Sequence, residues 1–396
     1  MDYSENRLAD YTDDAGISRG AMDVPFLMLT LLLLAIGVIM VLSASFARSY
    51  YTNEHNATYF FSRQLLFAVA GIGFMILASR FPIGFYRRVS PVILLAAVAL
   101  LLLVLVGGKK VNGARRWFEL LGVTFQPSEI AKIAVILFDA LLVVRFKEKM
   151  GTFRQGVLPF AAVAAVIIGL LILEPHLSAS IIILLITATM MFVGGTRLVW
   201  FFVVGGVAAL GGVLAISVLD YSSERITAWL DPFADTSDTG YQIVQSLYAI
   251  GSGGFSGLGL GNSRQKYLYL PEEHNDFIFS VVCEELGFIG AALILILFAL
   301  LIIRGYWLAM HCRDRYSFLV CTGITTLLAL QVILNVAVDT NLIPCTGISL
   351  PFFSYGGTAL LIQLAEMGIV LSISRDIPEK KLIRTGKRKP KAPEKA

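Results

Sequence analysis

Charge is scarce in this sequence. Asp, Glu, Lys and Arg make up 15% of its 396 residues, where soluble domains carry about 25%. That shortfall excludes an ordinary water-soluble fold. Histidine is scarcer: the four residues are scattered, so no built-in zinc or other metal site is expected. The four cysteines, Cys283, Cys312, Cys321 and Cys345, show neither disulfide nor metal spacing. The glycine-rich stretch GSGGFSGLGLGNSRQK (251–266) lacks Gly-Lys-Ser/Thr and has no strand before it. A P-loop and a dinucleotide fingerprint are therefore excluded, leaving either a flexible linker or a loop that approaches a substrate closely.

Apolar residues take the place of charge, at 57% of the chain with a mean hydropathy of +0.76. Runs near the ~20 residues that cross a bilayer recur along almost the whole length. Helix is the state lipid permits, because no water is present there to satisfy backbone groups. The reading is an all-α polytopic integral membrane protein with ten spans near 24–45, 64–80, 89–107, 127–145, 156–173, 177–194, 198–219, 277–303, 316–340 and 353–374. Residues 1–23 form a polar N-terminal segment, 24–374 the membrane domain and 375–396 a basic tail.

With both termini cytoplasmic, the inner connections hold about 22 Lys and Arg against about nine outside. A membrane protein with both ends on the cytoplasmic side is expected, its tail held near anionic headgroups. One outer segment opposes the trend: GGKKVNGARRWFELLGVTFQPSE (107–129) packs Lys109, Lys110, Arg115 and Arg116 into eight positions. It is either a charge tolerated between strongly apolar spans or an anion site that grips phosphate oxygens. The long connection 220–276, between spans seven and eight, is too large for a simple turn. Two interfacial helices are expected in it, the second showing Ile243, Leu247 and Ile250 on one face.

Charged groups near the spans need partners or a cavity. Glu129 and Lys132 are three apart, in pairing reach along a helix. The prolines and glycines of NLIPCTGISLPFFSYGGTALL predict an irregular or re-entrant approach to span ten. LPEEHNDFIFSVVCEELG (270–287) gathers five carboxylates at the lip of span eight. Asp276 there is either a helix N-cap or a catalytic carboxylate. Glu284 and Glu285, about two turns further on, read as interior hydrogen-bond or ion-pair partners. Being adjacent and about 100° apart, at most one of them is expected to face the cavity.

NGARRW, QPSE..K, LPEEHNDFIFSVVCEELGFIG and IPCTGISLPFFSYGG occur in this order, each beside the expected span. Over residues 20–376 the chain resembles the SEDS family (shape, elongation, division and sporulation) of ten-span bacterial peptidoglycan glycosyltransferases. DVPFLMLTLLLLAIGVIMVLSAS is closer to the division and sporulation branch than to the elongation branch. The resemblance implies polymerisation of lipid II into β-1,4 glycan on the outer leaflet, with Asp276 as general base. It further implies substrate contacts from Lys109, Lys110, Asn112, Arg115, Arg116, Trp117, Glu129, Lys132, Lys266 and Ser354. Implied partners are lipid II and the nascent glycan, a class B penicillin-binding transpeptidase, other divisome proteins and membrane lipid, with no nucleic acid. No cofactor is built in, and a divalent ion (Mg or Mn) is compatible with the chemistry. The chain departs from the family at EPHLSAS, where His176 stands in place of an acid, so no role is assigned to Glu174 or His176. A lipid II flippase and a non-catalytic divisome scaffold are the rival functions. A transporter would keep its coupling carboxylates near the midplane, whereas Asp276 is expected at the outer lip.

Overall fold

The computed structural model describes residues 20–53, 55–111, 114–120, 123–203, 205–206, 227–234 and 240–377. Among them, eight helices are long and apolar enough to cross a membrane. The first begins at α1 (Val24–Thr52), where Asp23 accepts a hydrogen bond from the Phe26 N–H at 2.9 Å and Pro25 occupies the first turn. Asp23 is also gripped through two nitrogens by Arg304, which ties this end of α1 to a distant helix.

α2 (Tyr59–Arg80), α3 (Ile83–Gly107), α4 (Pro127–Phe146), α5 (Leu158–Leu173, entered through the single turn Phe153–Gly156) and α6 (Leu177–Gly194) follow. α4 occupies the expected fourth span but carries Glu129, Lys132 and Asp139, more charge than the apolar eight allow. Its small and branched residues Ala131, Ala134, Val135, Ile136 and Ala140 are fully buried at the centre of the bundle. Only 198–203 and 205–206 of the expected seventh span are described, and they are helical. The count of ten, the N-terminal segment, most of the tail and the first part of the 220–276 connection therefore lie outside the described residues.

Three features were not expected. First, 107–126 is not a simple loop: β1 (Lys109–Val111), β2 (Ala114–Leu120) and β3 (Val123–Phe125) form an antiparallel sheet in the order β1-β2-β3. Second, α7 (Tyr241–Gly253) buries Ile243, Val244, Ser246, Ala249 and Gly253, with Leu247 and Ile250 of the expected face only half-buried. It docks on α8 (Ile278–Met310) through Ile243, Ser246, Ala249 and Gly253, and a Cβ at Gly253 would lie 2.0 Å from the Cys283 carbonyl oxygen. Small residues win this face because the two backbones nearly touch. Third, α8 is broken at Gly287 (φ 67°, ψ −171°), a conformation that favours glycine. There it exchanges backbone bonds with the glycine-rich loop: Leu258 and Gly259 N–H donate to the Glu284 and Glu285 carbonyls, and Phe288 and Ile289 N–H donate to Gly254 and Phe255.

α9 (Arg315–Asp339) and α10 (Gly357–Ser374) complete the bundle. α10 lies close along α2, where a Cβ at Gly368 would strike the Met75 carbonyl at 2.3 Å. Between α9 and α10, residues 344–350 have no regular structure, and Leu350, Phe352 and Phe353 are buried. The expected irregular approach is present. The Phe352 carbonyl lies where a side chain at Gly37 of α1 would sit, 2.3 Å away, so the loop dips about 16 Å along α1 below Arg48, counting eleven residues of helical rise.

Candidate active site

The segment 270–277 is fastened to the dipping loop by backbone and side-chain bonds. Tyr355 N–H donates to the His274 carbonyl (2.8 Å), Ser354 Oγ donates to the Asn275 carbonyl (2.7 Å), and Asn335 Nδ2 bridges the Asp276 and Ile348 carbonyls (2.7 and 2.8 Å). Asp276 is half-buried, and its Oδ2 approaches Gly347 so closely that a Cβ there would lie 3.1 Å away. Gly347 has φ +71°, so this backbone position favours glycine for two independent reasons.

The cap reading of Asp276 does not hold. Asp339, fully buried at the end of α9, does that work from another helix: its Oδ2 accepts from Ser280 N–H (3.2 Å) and Ser280 Oγ (3.1 Å) in the first turn of α8. Ser246 of α7 joins the same cluster, 2.6 Å from Ser280 Oγ. Beside Asp276, Glu273 takes a two-pronged bond from Arg48 of α1 at 2.8 and 2.9 Å. Burial pushes the Glu273 carboxyl up, but hydrogen bonds from His274 and Arg48 outweigh it and hold the group below the usual carboxylate range.

Both deeper acids are interior hydrogen-bond and ion-pair partners, in keeping with the expectation that at most one faces the cavity. Glu285 pairs with Lys266 Nζ (2.9 Å) and accepts from Ser43 Oγ (2.7 Å). Glu284 accepts from Ser252 Oγ (3.2 Å), Arg264 N–H (3.0 Å) and Gln265 N–H (3.3 Å). Although adjacent, they reach the same turn, because that turn wraps the end of the broken helix.

The expected substrate residues separate into groups. Lys266 is buried at 2% exposure and its ammonium is bonded to Glu285, Gly261 and Ser43, so it holds the loop and does not face a ligand. The Ser354 hydroxyl is likewise consumed by Asn275 and Leu350. Glu129 and Lys132 pair at 2.7 Å, with Glu366 of α10 in electrostatic reach. Lys109 pairs with Glu119, and Lys110 is exposed. Arg115 turns to the last carbonyls of α3, Leu105 and Val106, where a cation offsets the helix dipole. Arg116 turns the other way, to the Glu174 carbonyl at 3.0 Å and the Pro175 carbonyl. Trp117 is half-buried, opposite Lys109 in the sheet. Asn112 lies outside the described residues.

Arg116 thereby meets the turn where the chain departs from the family pattern. Glu174 is buried and neither carboxylate oxygen has a hydrogen-bond partner. Burial pushes it up to about 8, only partly offset by Arg116. Burial pushes His176 down to about 3, with Arg116 and Lys132 adding to the effect. His176 is thus neutral at pH 7 and sits in a field set by both cations. Between pH 4.5 and 8 the folded chain keeps the Glu174 proton that the unfolded chain gives up, so stability falls as pH rises through this window. Glu174→Gln removes that loss. Thermal unfolding in detergent is expected to show the variant more stable at pH 7, by up to about 3 kcal/mol, and indistinguishable from the parent near pH 4.5.

A helical membrane bundle that holds a half-buried carboxylate at a helix start capped from elsewhere, with a basic sheet at the head of its central helix, is a polytopic membrane protein with an enzyme-like site. The family model described as "Cell cycle protein", covering FtsW, RodA and SpoVE, matches residues 24–378, and the chain belongs to this family. It is 40% identical over 354 residues to the "Probable peptidoglycan glycosyltransferase FtsW" of Trichlorobacter lovleyi, covering 89% of this chain and 93% of that protein. It is 39% identical over 355 residues to the stage V sporulation protein E of Bacillus subtilis, covering 89% and 97%. Among solved structures, a chain from work on the structural coordination of polymerization and crosslinking by a peptidoglycan synthase complex superposes with a TM-score of 0.75. It is 29% identical and covers 90% of this chain and 98% of its own. The rod shape determining protein RodA of Thermus thermophilus superposes with a TM-score of 0.67 at 28% identity, covering 91% and 98%.

Proposed function

We propose that this protein is a peptidoglycan glycosyltransferase that polymerises lipid II, with Asp276 as its base. The observation that carries the reading is the division of labour at α8: Asp339 satisfies the helix start, and Asp276 is held beside it by its backbone. Relatives bearing the glycosyltransferase name match along nearly nine-tenths of the chain. The acceptor sugar's 4-hydroxyl attacks the anomeric carbon of the donor strand, and its proton passes to the Asp276 carboxylate. The bond from that carbon to polyprenyl pyrophosphate breaks on the opposite side, inverting an α-linked donor to a β-1,4 product. Arg116 and Lys132, whose fields meet at His176, supply positive potential for the departing pyrophosphate. Among the described residues no three His, Cys, Asp or Glu side chains converge as a metal group, and no step above uses one.

The basic-residue asymmetry supports a site on the outer face of the cytoplasmic membrane, with both termini inside. The partner is a class B penicillin-binding transpeptidase, supported by the likeness to a chain of a synthase complex. Purified protein given fluorescent lipid II is the test. Glycan ladders are the expected result. Leaflet exchange in vesicles without ladders would make the protein a flippase, and neither product would make it a scaffold.

Charge reversal tests the basic sheet residue by residue. Arg116→Glu is expected to weaken lipid II use strongly. Arg115→Glu, at a residue that among the described residues turns to the end of α3, is expected to have a smaller effect, and salt should narrow the gap. Equal KM values for both variants at low ionic strength would remove Arg116 from the site.

A further inference from the structure

The turn that Glu284 and Glu285 hold carries no core of its own. Tyr267, Leu268 and Tyr269 are exposed at 51%, 47% and 57%, Arg264 and Asn262 are exposed, and Gln265 is half-buried with an unpartnered buried Oε1. Gly261, Asn262, Ser263, Arg264, Gln265, Tyr267 and Tyr269 line an open groove of about 610 Å³, within the ~300–1,000 Å³ usual for small-ligand sites. Below it, Ser263, Arg264 and Gln265 N–H groups all end on the two buried carboxylates, and the Lys266 ammonium closes the turn onto Gly261. Buried, fully bonded acids are costly to hold, yet here they fix in place a surface made only of rings, amides and a guanidinium.

We propose that this groove is a saccharide-binding site that holds the glycan strand leaving the polymerising centre. Sugar rings present apolar C–H faces bordered by hydroxyls. Tyrosine rings match the faces at low entropy cost, and the planar forks of Arg264, Asn262 and Gln265 match the hydroxyl edges. No carboxylate lines the groove, which suits a strand whose stem peptides bring carboxylates. The groove and the centre are anchored on the same helix, α1. Glu285, beneath the groove, meets Ser43 of α1, and Glu273, beside Asp276, meets Arg48. Five residues of helical rise separate these two layers by about 7.5 Å. A rigid second hold on the product would keep the strand attached between additions.

The inference rests on the polymerase reading but is tested apart from it. Preformed, lipid-free, uncrosslinked glycan strands are titrated onto the full-length protein in nanodiscs, and product lengths are read from lipid II reactions. Tyr267→Ala and Tyr269→Ala are each expected to weaken strand binding at least about tenfold, equivalent to ~1.4 kcal/mol, and to shorten products while sparing the initial rate. Tyr269→Phe should retain binding, and Arg264→Ala offers a second route should a tyrosine variant fold poorly. Unchanged strand affinity and length in all three truncations would overturn the proposal. So would a loss seen only in association with a transpeptidase partner, which would make the groove a protein interface. Strand binding by a protein that forms no ladders would sink the polymerase reading and leave the groove standing.

Discussion

Asp276→Asn is expected to abolish glycan ladders while leaving the melting temperature in detergent within a degree or two of the parent. Loss of a positioned base costs about 10²–10⁴ in rate. The amide keeps the shape that fits beside Gly347 but cannot take the proton. Stability should survive because the backbone carbonyl of Asp276, not its carboxylate, is what Asn335 holds, and the start of α8 is satisfied by Asp339. The contrasting variant is Asp339→Ala, which strips the buried cap and should unfold the platform. Full polymerase activity in Asp276→Asn, or its unfolding in place of Asp339→Ala, would show that the carboxylate serves the fold.

The second large effect is expected at the buried pair. Glu285→Gln leaves the Lys266 ammonium at 2% exposure with Ser43 and Gly261 as its remaining partners. Removing one member of such a pair costs about 3–5 kcal/mol. Lys266→Met should cost a similar amount for the converse reason. Combining Lys266→Met with Glu285→Leu should recover most of it, since an apolar replacement of both charges is often neutral. Chemical or thermal unfolding of the parent, Lys266→Met, Glu285→Leu and the double variant gives the cycle. Single variants within about 1 kcal/mol of the parent would mean that water reaches this pair.

The sequence made the helical bundle legible because apolar runs near bilayer length can do little else. The described spans begin and end within a few residues of expectation at 24, 177 and 374, where Asp23, Gly195 and Arg375 flank them. The sheet at 109–125 was not legible: its strands are three to seven residues long and charged, without the alternation that marks a strand. The break at Gly287 was hidden for the opposite reason, since one glycine in a long apolar run is tolerated in a helix. Of the candidate site, Asp276 and the Glu129–Lys132 pair were visible as local patterns. Asp339, Arg48 and Asn335 act across 59 to 225 positions of sequence, which no local pattern encodes. Lys266 entered only through the resemblance, as a substrate contact, whereas its ammonium is bonded to Glu285 in the next helix. Glu174 and His176 stood out only as a departure from a familiar pattern, and their burial gave that departure a physical meaning.

The broken α8 has a mechanical consequence. An unbroken helix of 33 residues would be a lever about 50 Å long, and any tilt of its shaft in a fluctuating bilayer would swing the tip through an arc. The joint at Gly287 removes that lever. The shaft from Phe288 onward is tied at its head to Gly254 and Phe255 and further along to α1 through Arg304 and Asp23, while the short stub from Ile278 is held separately by Leu258 and Gly259, by Ser43 of α1 and by Asp339 of α9. The end that follows Asp276 is thus anchored by contacts of its own, separate from those that hold the span leading away from it.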